Sequence, residues 1–264
     1  MNTPEWNERI QKLAESVSYR QIIRGFENDR VAVMVEPRNN KVVFDLLRWM
    51  VHILARNGWR FLIFCGNDNF DSLTSFVTKL QISDIFEIRN INVSNITKEI
   101  YNDMCLSKVF WESIPYEHIL IFQSDSVLLN GNIDSFLEYD YVGAIGHTKY
   151  IIVPSITRSG IRTLVPPNLI FQNGGLSLRK RSAMLKCLAS DRSVKRTWED
   201  TFFSVICSDI IKVAPTEVAG VFSVESVYNE KAIGYHAPWR FFTPEVMKLI
   251  YNNIEEHALK RIGL

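Results

Sequence analysis

With 264 residues, of which 47% are hydrophobic and 12% aromatic, the chain can bury about three quarters of its unfolded surface in one core, without a disulfide or metal staple. Thirty basic residues against 29 acidic ones leave a formal charge of +1, which excludes the strongly basic face of a general nucleic-acid binder, so any anionic ligand must be met by local chemistry. The longest apolar runs fall short of the ~20 residues of a membrane span, and the polar start Met1-Asn2-Thr3-Pro4-Glu5 lacks signal-peptide character. The expectation is a cytoplasmic protein with no transmembrane segment and no nucleic-acid partner. Cys65, Cys105, Cys187 and Cys207 are scattered without a CxxC pair and read as buried thiols. The N-x-S/T sequons at Asn92 and Asn95 are expected to be chance matches.

Thr3-Pro4 reads as an N-cap with proline in the first turn, and Trp6, Ile10, Leu13 and Val17 follow at helical spacing. Residues 1–28 are therefore expected to form a helical appendage packed on the domain. Val31 to Val35 is a buried strand, stopped by Glu36-Pro37-Arg38. Val43, Leu46, Leu47, Met50 and Leu54 supply a helix face, Gly58 ends that helix, and Phe61 to Phe64 forms a second strand. An amphipathic stretch from Phe70 to Leu80 and a short strand from Ile85 to Ile88 come next. Ile119 to Phe122 is a strand that ends on Gln123-Ser124-Asp125, and Tyr141 to Ile145 is another. From 147 to 168 periodicity fails amid Pro154, Gly160, Pro166 and Pro167, which predicts a mobile loop or lid carrying Lys149, Arg158 and Arg162. Asn173-Gly174-Gly175 is expected to punctuate the entry to a helix from Arg179 to about Ala189; a second helix runs from Trp198 to Cys207, and Pro244 opens a C-terminal helix over 244–264. Such alternation predicts one α/β domain over 1–264, a central, largely parallel sheet with helices on both faces.

Ligands of open α/β sheets gather outside the carboxyl ends of the strands, where Asp125 stands as a carboxylate at the end of an apolar run. Glu36, Pro37 and Arg38 end the first strand in the same way, as Gly66 and Asn67 end the second. Asn173, Gly174 and Gly175 offer backbone amides that a sugar or phosphate can approach closely. Thr197-Trp198-Glu199-Asp200 has the form of a capping box at a helix start.

Five segments in order, VMVEPR, IFCGNDN, FWESIPYEHILIFQSDSVL, NGGLSLRKRSAM with WEDTFFS, and FSVES followed by IGYHAPW, resemble the GT-A-type glycosyltransferases. They are most similar to a poorly characterised group long filed as a domain of unknown function. The resemblance implies a Rossmann-like three-layer sandwich with a mixed, largely parallel sheet. It also implies transfer of a sugar from a nucleotide diphosphate sugar, with UDP the preferred nucleotide as the commoner donor type, to the hydroxyl of a glycan or other acceptor. Asp125 stands in the place of the second Asp of the metal-binding Asp-x-Asp loop, and His236 matches the histidine that GT-A enzymes often add as a metal or diphosphate contact. Mn²⁺ or Mg²⁺ is the implied cofactor, although Gln123 replaces the first Asp and leaves metal independence open. Asp200 matches the base of inverting enzymes, with Glu199 beside it as an acceptor contact. Glu36, Pro37, Arg38, Gly66, Asn67, Gln123, Ser124, Asn173, Gly174 and Gly175 fall where the donor is bound. The competing readings are a non-catalytic nucleotide-sugar-binding module and a metal-dependent phosphoesterase or nucleotidyltransferase. The latter would want clustered carboxylates for paired metals. The sequence names neither the sugar nor the oligomeric state.

Overall fold

The computed structural model describes residues 2–17, 29–147, 155–156, 162–163, 170–192 and 197–262. The chain opens with helix α1 (Pro4–Glu15) and then alternates β1 (Arg30–Glu36), α2 (Lys41–Leu54), β2 (Arg60–Cys65), α3 (Phe70–Lys79) and β3 (Phe86–Asn90). Helices α4 (Lys98–Cys105) and α5 (Lys108–Glu112) lead to β4 (His118–Phe122), β5 (Ser126–Leu128) and β6 (Tyr141–His147). A short ladder of β7 (Ser155–Ile156) with β8 (Arg162–Thr163) precedes the long β9 (Ile170–Lys180). The remainder carries α6 (Arg181–Ala189), α7 (Glu199–Thr201), a π-helical turn over Phe202–Ile206, α8 (Thr216–Phe222), β10 (Gly234–His236) and α9 (Pro244–Ile262).

The main sheet has the order β3-β2-β1-β4-β9-β6. The first four strands are mutually parallel, and β9 runs against both β4 and β6, so it is the one reversed strand. Because successive side chains of a strand point to opposite faces, each buried strand feeds two apolar layers. Ala32, Met34, Phe61 and Ile63 pack with residues of α1, α2 and α9. Val31, Val33, Leu62 and Phe64 pack with Phe110, Trp111, Met184 and Phe203. The result is a three-layer α/β sandwich of Rossmann-like alternation, as the periodicity predicts.

The local signals at the element ends hold as well. Thr3 Oγ1 accepts the Trp6 amide at 3.2 Å, and Trp6 is fully buried with its ring 4.8 Å from that of Trp239. Gly58 caps the turn after α2 at φ 81°, a left-handed conformation that favours glycine. No helix among the described residues is long and apolar enough to cross a membrane.

Two expectations are corrected. Asn173-Gly174-Gly175 lies inside β9 and does not lead into a helix, and α6 begins at Arg181. β4 supplies the partner that keeps this segment extended, with Leu176 opposite Phe122 and the Gln123 amide donating to Gly175 O at 2.9 Å. On the other side the register jumps: Gly143 pairs with Ser177 and Ala144 with Asn173, so Gly174, Gly175 and Leu176 bulge away from β6. The second correction concerns the capping box. The N-cap of α7 is Trp198, no side chain caps it, and Thr197 Oγ1 donates to Trp198 O at 3.4 Å. Apart from the backbone of the β7–β8 ladder, the proposed lid over 147–168 lies almost wholly outside the described residues, as does the chain from 18 to 28.

What positions a site is the point where the sheet reverses direction. From β1 the chain steps outward through α2, β2 and α3 to β3. It then returns through α4 and α5, in the opposite layer, to lay β4 on the other side of β1. The connections leaving β1 and β4 diverge, and a crevice opens between their carboxyl ends. Asn69, 1% exposed, stitches one wall of it: Nδ2 donates to Glu36 O (2.8 Å) and Arg38 O (3.1 Å), while Oδ1 accepts the Gly66 amide (2.9 Å). Asn69→Ala leaves these buried groups without partners, and each such group costs about 1–3 kcal/mol. Urea denaturation should show a lower midpoint with an unchanged slope, and Arg38 should lose its fixed position at the cleft.

Candidate active site

The crevice is a cleft of about 630 Å³. Glu36, Pro37 and Arg38 line it from the end of β1, Gln123, Ser124 and Asp125 from the end of β4, and Asn173, Gly174 and Gly175 from the bulge of β9. Glu199, Asp200 and His236 complete the set that the sequence singled out. Gly66 and Asn67 do not belong to it. A Cβ on Gly66 would fall 2.2 Å from Val93 O and 2.7 Å from Pro37, so this glycine serves close loop packing. Asn67 Oδ1 accepts from Asn90 Nδ2 at 3.0 Å, on the surface. Trp239, packed on Trp6, is core rather than a ligand platform.

Asp125 and His236, far apart in the chain, are brought together by an antiparallel ladder in which β5 pairs with β10 and Ser126 stands opposite His236. The Ala237 amide donates to Asp125 O at 2.8 Å and extends that ladder by one bond. Ala237 itself is left-handed (φ 42°, ψ 41°), an uncommon conformation for a residue with a Cβ and more so before a proline. The bend sends the chain back so that Arg240 Nη2 reaches Asp125 Oδ2 at 2.8 Å.

His236 is held between two carboxylates. Nδ1 lies 3.0 Å from Glu225 Oε1, and Nε2 lies 3.4 Å from Asp125 Oδ1 and is buried with no hydrogen-bond partner. Its edge rests on Gly175, where a Cβ would come within 2.1 Å of Nε2. Burial presses the imidazole toward its neutral form, but Asp125 and Glu225 outweigh this and raise its pKa to about 10. For Asp125, burial raises the pKa, and the charges of His236 and Arg240 overcome it and bring the value down to about 2. Glu225, 5% exposed, is a site residue that the sequence reading missed. Its only signal was membership of the FSVES segment.

A divalent cation fits this arrangement on the chemistry of its donors. Nε2 faces the Asp125 carboxylate across 3.4 Å, and a cation shared by the two would take the place of the ring proton between them. A carboxylate on the opposite ring nitrogen is the usual support of a metal-binding histidine. Among the described residues no three His, Cys, Asp or Glu side chains form a cage of their own, and Arg240 holds the second oxygen of Asp125. A cation here therefore needs further oxygens from bound ligand or water. Gln123 adds no charge.

Below the cleft floor, Arg179 and Glu199 form a bidentate buried pair, with Nη1 to Oε2 at 2.5 Å and Nη2 to Oε1 at 3.1 Å. The guanidinium carbon sits 4.9 Å from the Tyr141 ring centroid, 5.6 Å from that of Trp111 and 5.8 Å from that of Phe203. Gly174 is required by this pair, because a Cβ there would lie 2.0 Å from Glu199 Oε1. Glu199 borders the cleft, and both its oxygens accept from Arg179. Asp200, next in sequence, is half-buried and points to the cleft. Oδ1 takes the Thr201 amide at 2.6 Å, and Oδ2 lies 3.5 Å from Asn173 Nδ2. Burial first, then the charge of Glu199, raises its pKa to about 7, with Glu225 adding to the effect and the Thr201 amide opposing it.

The chain belongs to the family described as Protein of unknown function (DUF5672), whose pattern matches residues 85–236. The match covers the chain from β3 to β10 and so contains Asp125, Asp200, Glu225 and His236, while β1 and Arg240 lie outside it. No curated protein matches the chain. Among solved structures it is similar to the inositol-1-phosphate CTP transferase from T. maritima, at 11% identity over 88% of this chain and 98% of that chain, with a TM-score of 0.48. It is also similar to HddC from Yersinia pseudotuberculosis, at 10% identity over 86% of this chain and 99% of that one, with a TM-score of 0.43.

Truncating Glu199 to Ala would leave the Arg179 charge buried without its partner. Breaking a buried pair in this way costs about 3–5 kcal/mol. The expected result is a large drop in the urea midpoint of Glu199→Ala, most of it recovered when Arg179→Met is added.

Proposed function

We propose that the protein is a glycosyltransferase that moves a sugar from a nucleotide diphosphate sugar, UDP being the preferred nucleotide, to the hydroxyl of a glycan or other acceptor, with inversion at the anomeric carbon. The observation that carries this reading is the convergence, in one cleft at the reversal point of the sheet, of Asp125 and His236 on one side and a half-buried Asp200 on the other. An inverting transfer needs these two functions apart: one place where the leaving diphosphate is neutralised and, across the sugar, a carboxylate to take the proton of the attacking hydroxyl. The GT-A resemblance of the motif order supports the same assignment.

Asp200 suits the second function. A general base works best with a pKa near the operating pH, and burial beside Glu199 raises that of Asp200 to about 7. The Thr201 amide fixes one oxygen, which leaves Oδ2 toward Asn173 for a hydroxyl. In the first function, Asp125 and His236 would hold Mn²⁺ or Mg²⁺, with Glu225 fixing the imidazole. Bound there, the cation would neutralise charge building up on the leaving diphosphate. Glu36 ties down Arg38 through Nε (2.7 Å) and Nη2 (2.6 Å), so the wall at the end of β1 is rigid before a donor arrives.

The test is transfer and donor hydrolysis with a panel of nucleotide sugars, with and without Mn²⁺, for the wild type and Asp200→Asn. The variant should lose about 10²–10⁴-fold in kcat/KM, the usual worth of a positioned base. In the wild type, kcat/KM should climb tenfold per pH unit below about 7 and level off above it, as Asp200 gives up its proton. Because its folded pKa lies above the unfolded value of 3.8, Asp200 costs stability as pH rises from about 4 through 7. Asp200→Asn should therefore be at least as stable as the wild type at pH 8. A variant that melts earlier but transfers at the wild-type rate would reduce Asp200 to a structural residue. Asp125→Asn should lower donor affinity and turnover together, measured by calorimetry and initial rates, since its charge acts in both ground and transition states.

A further inference from the structure

Among the described residues, three guanidinium groups stand in or under the cleft, and two of them are committed. Arg179 is fully buried on Glu199, and Arg38 spends Nε and Nη2 on Glu36. Arg240 differs. Its side chain is 41% exposed, lines the cleft, and among the described residues bonds through Nη2 alone, to Asp125 Oδ2 at 2.8 Å. A guanidinium carries five N–H donors in a planar fork that matches the oxygens of a phosphate. The backbone beneath it is fixed, because the Arg240 amide donates to Ala237 O at 3.1 Å, the left-handed Ala237 is tied to Asp125, and the intervening Trp239 packs on Trp6.

We infer that Arg240 is the residue that meets the phosphate oxygens of the bound nucleotide, keeping one N–H on Asp125 and presenting the rest of its fork to the diphosphate; this rests on the nucleotide-sugar reading of the cleft. The geometry also accounts for the bend at Ala237. A straight continuation of β10 would carry residue 240 away from Asp125, whereas the bend lets two cationic side chains four residues apart address one carboxylate. Arg240 lies beyond the family match, which ends at residue 236. Held this way, the anion site functions without a metal, and a cation at Asp125 and His236 adds to it.

The test is a thermodynamic cycle on ligand affinity, not on turnover. Inorganic pyrophosphate and uridine are titrated by calorimetry, in chelator, into the wild type, Arg240→Gln, Asp125→Asn and the double variant, and UDP is titrated with Mn²⁺ in parallel. Arg240→Gln should weaken pyrophosphate and UDP by about 10- to 100-fold, the range of a hydrogen bond to a charged group, and leave uridine unchanged. The same loss should appear between Asp125→Asn and the double variant. If it vanishes in that background, Arg240 only neutralises Asp125 and the inference is overturned. An equal loss for uridine would overturn it as well, by showing a packing role. A wild type that binds UDP with Mn²⁺ but not pyrophosphate in chelator would sink this inference alone, and one that binds neither would sink the nucleotide-sugar reading with it.

Discussion

One charge pair under the cleft floor governs where the working residues stand. Arg179 belongs to the reversed strand β9 and Glu199 to the first turn of α7, and their two hydrogen bonds tie that strand to the helix start that presents Asp200. Arg179 also donates through Nε to Ser177 Oγ (2.9 Å) and through Nη2 to Gly174 O (3.3 Å), so it holds the bulge from within. A buried ion pair is a poor source of net stability, because desolvation offsets most of the attraction. It is a strong source of position, since neither partner tolerates being left alone. Three aromatic rings around the guanidinium exclude water and sharpen that demand. Burial, and after it the negative end of the pair, raises the pKa of Asp200 to about 7.

The rest of the cleft is a chain of opposite charges in which almost every carboxylate has a cation in contact. Glu36 has Arg38, Glu225 and Asp125 share His236, and Asp125 also has Arg240. Among the described residues Asp200 is the exception, with the Thr201 amide and hydroxyl and the Asn173 carboxamide as partners. That asymmetry separates a side of the cleft built to hold charge from a side with a carboxyl able to exchange a proton near pH 7. Glu36 ends β1, Asp125 lies between β4 and β5, and Glu225 follows α8, whereas Asp200 comes from the start of α7 together with the paired Glu199.

The elements were legible where local physics decides them. Trp6, Ile10 and Leu13 mark α1, Gly58 marks the end of the α2 segment, and the apolar runs at Val31, Phe61 and Ile119 mark the parallel strands, because a strand buried on both faces has no polar positions to interrupt it. Asp125 was legible for the complementary reason: a carboxylate directly after such a run has to be at the surface or in a site. The reading failed where a distant partner overrules local grammar. Asn173-Gly174-Gly175 has the composition of a turn, yet β4 and β6 hold it as a bulged strand, and the two glycines are there because His236 and Glu199 occupy the space their side chains would fill.

By itself the sequence determined the alternation of strands and helices, the α/β class, and a short set of candidate side chains at strand ends, all of which depend on neighbours within a few residues. Only the tertiary structure decided which candidates share a site and in what state. His236 meets Glu225, 11 residues earlier, and Asp125, over a hundred residues earlier, through strand pairings that no spacing encodes. Glu199, at the start of α7, is anchored by Arg179, 20 residues earlier on β9, a partner no local pattern announces. Gly66 and Asn67 dropped out because their loop turns toward Val93, not into the crevice. Charge is a long-range interaction in a low-dielectric interior, so the roles of ionisable residues follow from packing, while the order of the elements follows from the local pattern.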